Sequence, residues 1–219
     1  MKNKLILSML VAFCGFSLTA SAQALDFGRR SQIGISVGVI NYSGFMNTTA
    51  FTLKESHPSF EAFYRYDIAK NFNVRATVMY GSLSKDNGPE LEENGTNRAG
   101  QFKTDIFEVS VLPEYNFLDL STHKVSPYVF VGGGFYTLTG YRRNGNDFDK
   151  PNKSGINFRG GLGIRYLINP NIQVFAEGSR REFSHSIDFY ESSNSPSRYY
   201  SIMVGASFRL SDVKLNELW

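Results

Sequence analysis

The chain has 219 residues, a formal net charge of +3 and a mean hydropathy of −0.25. So small a charge gives no electrostatic ground for binding nucleic acid, and a chain that is polar on average, with one short apolar run, does not read as a helical membrane protein. The single cysteine, Cys14, excludes a disulfide framework and a thiolate metal site.

Residues 1–22 read as an export signal that is cleaved. Lys2 and Lys4 make a positive start, Leu5 to Leu18 is apolar, and Ala20-Ser21-Ala22 is an A-x-A cleavage site that leaves Gln23 first. A cut after Ala24 would change nothing downstream. A lipoprotein reading would acylate Cys14, but Phe13 is too bulky for the position before such a cysteine. Losing Lys2 and Lys4 takes the net charge from +3 to +1, and the mature chain has no thiol. Export, a polar average, 20 glycines and 15% aromatics fit an outer-membrane barrel or a secreted soluble β-protein.

After a short segment, residues 23–30, the chain alternates. Successive strand side chains point to opposite faces. Ser31 to Ile40 sets Ile33, Ile35, Val37 and Val39 against Gln32, Gly34, Ser36 and Gly38. Asn41 to His57 is a long polar connection. Ser59 to Asp67 sets Phe60, Ala62, Tyr64 and Tyr66 against Glu61, Phe63 and Arg65, and a short turn runs from Asp67 to Asn71. Phe72 to Ser82 sets Phe72, Val74, Ala76, Val78 and Tyr80 against Asn73, Arg75, Thr77 and Met79. Ser84 to Gln101 is a second long connection, full of turn formers.

Asp105 to Phe117 sets Phe107, Val109, Val111, Pro113 and Tyr115 against Glu108, Ser110 and Glu114; a shorter link, Leu118 to Ser126, follows. Pro127 to Leu138 sets Val129, Val131, Gly133 and Phe135 against Tyr128, Phe130, Gly132 and Gly134, before a third long loop, Thr139 to Lys153. Ser154 to Ile168 is the clearest case: Ile156, Phe158, Gly160, Leu162, Ile164, Tyr166 and Ile168 oppose Asn157, Arg159, Gly161, Gly163 and Arg165. The turn Asn169-Pro170-Asn171 leads into Ile172 to Phe183, where Ile172, Val174, Ala176 and Gly178 oppose Gln173, Phe175, Glu177, Ser179 and Arg181. A fourth long loop, Ser184 to Ser197, precedes Arg198 to Leu210, with Tyr200, Ile202, Val204, Ala206 and Phe208 on one face, and then a tail, residues 211–219.

Eight strands with long and short connections in alternation predict an all-β fold: one eight-stranded antiparallel up-and-down transmembrane β-barrel over residues 31–210, OmpA/OmpX-like, with short turns and both termini in the periplasm. A lipocalin-like soluble barrel also alternates. Three features favour the membrane. The mature lysines (Lys54, Lys70, Lys85, Lys103, Lys124, Lys150, Lys153, Lys214) all fall in loops, turns, strand tips or the tail, whereas a soluble barrel would scatter them over its wet face.

The mid-strand charges form the second feature. Glu61, Arg65, Arg75, Glu108, Glu114, Arg159, Arg165, Glu177 and Arg181 share the inner face, where guanidinium and carboxylate groups can pair. Third, outward aromatics sit near strand ends as two girdles. Tyr80, Phe107, Phe158 and Tyr200 belong to the outer lipid interface, and Tyr66, Phe72, Tyr115, Tyr166 and Phe208 to the inner one. Eight strands enclose a lumen that side chains can fill, so a plugged interior is expected rather than a wide pore.

The sequence offers little chemistry. Ser184-His185-Ser186, with Asp188 and Glu191 nearby, is the one Ser/His/acid cluster, but neighbours along a strand diverge, and polar loop residues are the ordinary reading. His57 and His123 fall in an outer loop and an inner turn and cannot share a metal. Asp86, Glu90, Glu92 and Glu93 could hold a divalent cation or lipopolysaccharide-bridging ions; a solvated loop is the ordinary reading. Gly132-Gly133-Gly134 has no following helix and no Gly-Lys-Ser/Thr motif, so it is no phosphate cradle but a place where a strand bends or aromatics pack. Arg180 falls on the lipid parity and is expected near the outer rim, or beside a bulge that resets the register. The inner Arg/Glu set could be an ion path or gate; structural filling is the commoner role. No cofactor is expected.

At Phe63-Tyr64-Arg65-Tyr66, Tyr80-Gly81-Ser82-Leu83, Leu112-Pro113-Glu114-Tyr115-Asn116-Phe117 and Ser126-Pro127-Tyr128-Val129-Phe130-Val131-Gly132 the chain resembles a Bacteroidota family of small outer-membrane barrels that includes the PorG-like component of the type IX secretion system. Ser179-Arg180 departs from the small-then-aromatic pair of that family. The resemblance implies an eight-stranded barrel without enzymatic activity and, for PorG-like members, association with periplasmic ring proteins. The expected function is therefore a non-enzymatic outer-membrane anchor or accessory subunit, with outer-membrane lipid around it. The alternatives are a stand-alone structural or surface-adhesive barrel and a lipid-modifying enzyme using His185. Nothing in the sequence sets the oligomeric state.

Overall fold

The computed structural model describes residues 30–43, 56–85, 90–93, 96–99, 102–143, 146–147, 153–184 and 198–211. Eight long strands run through them: β1 Ser31–Ser43, β2 Ser56–Ala69, β3 Phe72–Lys85, β4 Phe102–Asn116, β5 Val125–Arg143, β6 Lys153–Asn169, β7 Ile172–Phe183 and β8 Arg198–Arg209. Each pairs antiparallel with the next and β1 pairs with β8, so the sheet closes on itself with no free edge. Short turns join β2 to β3, β4 to β5 and β6 to β7 at one end, the turn end. The opposite strand ends make up the loop end. The signal segment, residues 1–22, and most of the tail lie outside the described residues.

The alternation does what its period requires. Glycines apart, every inward residue named above is buried, and every outward one is exposed or half-exposed. Ile35, Val131, Phe158 and Leu162 stand fully outward, while Arg65, Arg75, Arg159, Arg165 and Arg181 are buried. This is the inverse of a soluble domain, in which arginine is rarely inside and isoleucine rarely outside.

The strands outrun the patterning, chiefly at the loop end. β1 reaches Ser43 rather than Ile40, β2 begins at Ser56 rather than Ser59, β3 reaches Lys85, β4 begins at Phe102, and β5 covers Val125–Arg143 rather than Pro127–Leu138. The physical reason is an inversion of the alternation. Towards the loop end the inward residues become apolar: Ile40, Tyr42, Leu83, Ile106, Tyr136, Leu138, Phe183 and Tyr199 form one buried cluster with Met79. The outward ones (Ser82, Lys103, Asp105, Thr137) become polar. Such segments read as loop when the template is polar-in, apolar-out. Two expected loops also carry local pairing: Glu90–Glu93 pairs with Thr96–Ala99, and Asn146–Asp147 pairs with Arg142–Arg143. His57 lies in β2, not in a loop, with its Nε2 against Ser84 Oγ.

Two irregularities have local causes. Between Lys103 and Asp105 the β4–β5 register slips, and Gly140 there takes φ of 61°, the left-handed conformation that glycine adopts without strain. Around Pro113, which has no N–H to give, the β4–β5 pairing skips from Val111↔Gly133 to Glu114↔Phe130. The backbones close in, and a Cβ on Gly132 would sit 2.0 Å from the Val111 carbonyl oxygen. That close approach, not a bend, is why glycine stands at 132.

Candidate functional site

The lumen concentrates the charged chemistry. It is built from alternate residues of all eight strands, so each side chain is aimed inward by backbone that the barrel holds rigid. The nine charged residues read from the sequence are all buried and form one connected ladder. Arg75 stands at its centre, with Nε 2.7 Å from Glu114 Oε1, Nη2 2.9 Å from Glu177 Oε2 and Nη1 3.6 Å from Glu61 Oε1. Arg159 bridges Glu61 at 2.5 Å and Glu177 at 2.8 Å. Towards the loop end Arg181 reaches Glu108 at 3.1 Å. Towards the turn end Arg65 and Arg165 both bind Glu114 Oε2, at 2.8 and 2.9 Å.

Five guanidiniums face four carboxylates, an excess of one positive charge, and neutral oxygens take some of the spare donors. Arg181 donates to Ser179 and Ser201 hydroxyls at 3.1 and 2.9 Å, Arg65 to Gln32 at 3.3 Å and Arg165 to Asn116 at 2.8 Å. Tyr128 donates to Glu177 at 2.6 Å, and Tyr199 and Asn157 both donate to Glu108 at 2.5 Å. Every one of the four carboxylates is thus held by at least one guanidinium.

The apolar part of the lumen fits between these groups. Phe63, Leu112, Tyr128, Phe130 and Phe175 form a second buried cluster. Each of the five guanidiniums lies over a ring. Arg165 is 4.4 Å from the centroid of Tyr128, Arg181 4.7 Å from Tyr199, Arg65 4.9 Å from Phe63, and Arg75 and Arg159 are 5.1 and 5.4 Å from Phe130. The rings in turn lie flat against the wall because glycine faces them. In register, Phe63 is opposite Gly34, Phe130 opposite Gly161, Tyr128 opposite Gly163, Phe175 opposite Gly205, and Tyr136 opposite Gly155. A Cβ on Gly34 would lie 2.2 Å from Phe63 Cζ, and on Gly161, Gly163 or Gly205 about as near the facing ring. Cross-strand glycine–aromatic pairing of this kind pins register.

Sequence reasoning missed two members. Arg209 pairs with Asp67 at 2.8 Å at the turn end, where Gln32 and Asn73 also bind Asp67. Asp67 falls where the strand pattern gives way to a turn, and the outward neighbours of Arg209 mask it in the last strand; their inward parity is the available signal. Beside them a cavity of about 30 Å³, lined by Asn73, Asn116, Gln173 and Arg209 among others, has room for a water molecule or so.

The nine aromatics assigned to lipid interfaces all face outward. Four pairs, Phe72/Tyr80, Phe107/Tyr115, Phe158/Tyr166 and Tyr200/Phe208, are each eight residues apart on one strand. That is roughly 27 Å along a strand, or roughly 20 Å along the axis of a barrel with ordinary tilt. Phe60 and Phe135, also exposed, extend the upper row and were not foreseen. Arg180 is exposed, and both of its ladders run through it without a bulge. His185, Asp188 and Glu191 lie outside the described residues, as does Asp86; of Glu90, Glu92 and Glu93 only the backbone is described.

A closed eight-stranded barrel with an apolar exterior and a lumen filled by paired charges defines the transmembrane β-barrel class. The chain belongs to the outer membrane protein beta-barrel domain family, which matches residues 8–209, and is thus a bacterial outer-membrane barrel. No curated protein matches it. Among solved structures it is similar to Neisserial surface protein A, at 13% identity over 82% of this chain and 96% of that one, with a TM-score of 0.55. It is also similar to OprG of Pseudomonas aeruginosa (11% identity, 81% and 94% covered, TM-score 0.49) and to Ail of Yersinia pestis (17%, 81% and 96%, 0.48). Identities of this size bear on the fold alone.

Proposed function

We propose that the protein is a non-enzymatic outer-membrane anchor, an accessory subunit of a membrane-associated complex of the type IX secretion kind, in a Bacteroidota cell. Its long loops face outward, its short turns and both termini face the periplasm, and the two aromatic rows lie at the lipid interfaces. The observation that carries this is the filled lumen. A barrel whose interior is occupied by ion pairs and capped by an apolar cluster works through its outer surfaces. On the turn side one such surface is preformed. Asp119 accepts from the Ser121 N–H at 2.8 Å through its side chain and from the His123 N–H at 2.9 Å through its carbonyl, and Ser126 Oγ donates to the Leu118 carbonyl at 2.8 Å. The link Leu118–Ser126 is thus a shaped surface, with Phe117, Leu118 and Val125 exposed around it.

The tagged barrel is expected to co-purify from native membranes with periplasmic ring proteins, and a deletion strain to lose secreted cargo. An unchanged secretome in that strain would count against the anchor role. A second reading, a stand-alone adhesive barrel, draws support from β3, β4 and β5, which project beyond Tyr80 and Phe107 to Lys85, Phe102 and Arg143. Loop deletions that abolish adhesion while sparing secretion would favour it. A lipid-modifying enzyme using His185 is the third, and unchanged lipid A after overexpression would remove it.

A further inference from the structure

The upper aromatic row is interrupted on β7. Arg180 stands eight residues from Ile172, the spacing at which Tyr80 follows Phe72, and it pairs directly with Tyr200 of that row. An arginine therefore replaces an aromatic at headgroup height. Arg198, on the same outer face, stands beside it. Both bind one oxygen, Glu182 Oε1, with Arg198 Nε at 3.1 Å, and the side chains of Arg180 and Arg198 remain 45% and 41% exposed. Two guanidiniums share one carboxylate, leaving net positive charge and unused donors on a surface otherwise made for hydrocarbon.

The wall below is bare. Gly160 pairs with Arg180, and Gly178 lies two residues further down β7 on the same face, between Leu162 and Ile202 in register. Both glycines are outward. A Cβ on Gly160 would meet nothing nearer than 3.9 Å and one on Gly178 nothing nearer than 4.0 Å. Unlike the inward glycines, these accommodate no ring of the protein; they leave a depression flanked by Phe158, Leu162 and Ile202. Two outward glycines under a pair of arginines suit a lipid with an anionic head.

We propose that this face of β6, β7 and β8 binds a phosphorylated lipid of the leaflet at the loop end, its phosphate between Arg180 and Arg198 and an acyl chain over Gly160 and Gly178. Fork-like guanidiniums bind phosphate through paired donors. The leaflet, but not the site, depends on the orientation given above.

The test is the thermal unfolding of the full mature chain in maltoside micelles. Diphosphoryl lipid A is expected to raise Tm, while dephosphorylated lipid A and inorganic phosphate are expected to leave it unchanged. The shift should vanish in R180Q/R198Q, whose substitutions touch no lumen group, and shrink in G160V/G178V, which fills the depression with side chains whose Cβ atoms meet nothing nearer than 3.9 Å. An equal shift in R180Q/R198Q, no shift in the wild type, a full shift in G160V/G178V, or the same shift with inorganic phosphate would each overturn the proposal. Absence of a periplasmic partner would leave all four results as they stand.

Discussion

Replacing Glu114 by leucine is expected to destabilise the barrel by about 4 kcal/mol, within the range for removing one partner of a buried ion pair. Glu114 has no exposure and holds three guanidiniums, those of Arg65, Arg75 and Arg165. Its loss raises the lumen excess from one positive charge to two and strands buried donors that cannot reach water. Arg75 keeps Glu177 and Glu61, and Arg165 keeps Asn116, but Arg65 keeps only Gln32 and Ser207. Removing Arg65 as well, in Arg65→Met/Glu114→Leu, restores the original excess and should recover half or more of the loss. Denaturant titration in micelles, read by circular dichroism and by the mobility of unheated samples, measures both. A single variant as stable as wild type would mean that the ladder is not what fills and holds the lumen.

A comparable loss, about 3 kcal/mol, is expected of Gly34→Val, at the upper end of overpacking costs. The first added atom would lie 2.2 Å from Phe63 Cζ and 2.6 Å from the Ala206 carbonyl oxygen. Phe63 cannot swing aside, because it packs edge-on against Phe175 at 5.5 Å and lies under Arg65 and Arg75. The double variant Gly34→Val/Phe63→Ala should therefore be less destabilised than the sum of the single variants, by about 1–3 kcal/mol. The recovery is partial, since the Ala206 carbonyl is backbone. Strict additivity in a denaturant series would show that ring and glycine do not share that space.

These two substitutions mark what the sequence makes legible. That Glu114 and Arg75 face the same way follows from parity alone, and parity placed every mid-strand residue on its correct face. Which glutamate meets which arginine depends on register and barrel closure: Arg75 and Glu177 are 102 positions apart and touch across the lumen. The glycine–ring pairs are hidden for the same reason, because Gly34 and Phe63 become neighbours only once β1 and β2 are aligned. The loop-end extensions were missed on physical grounds. There the polar and apolar faces exchange sides, so Ile106 and Leu138 point inward where the lower barrel turns Glu114 and Tyr128 inward, and a single template cannot fit both halves.

Arginine-specific labelling tests the placement of hydrocarbon and charge most directly. The mature barrel, in maltoside micelles free of phosphorylated lipid, is treated with water-borne phenylglyoxal and mapped by mass spectrometry, and then treated again after denaturation. Arg180 and Arg198 are expected to react in the folded protein, while Arg65, Arg75, Arg159, Arg165 and Arg181 stay unmodified until it unfolds. Reaction of those five at the rate of the exposed pair, in protein that remains folded, would contradict a filled and sealed lumen.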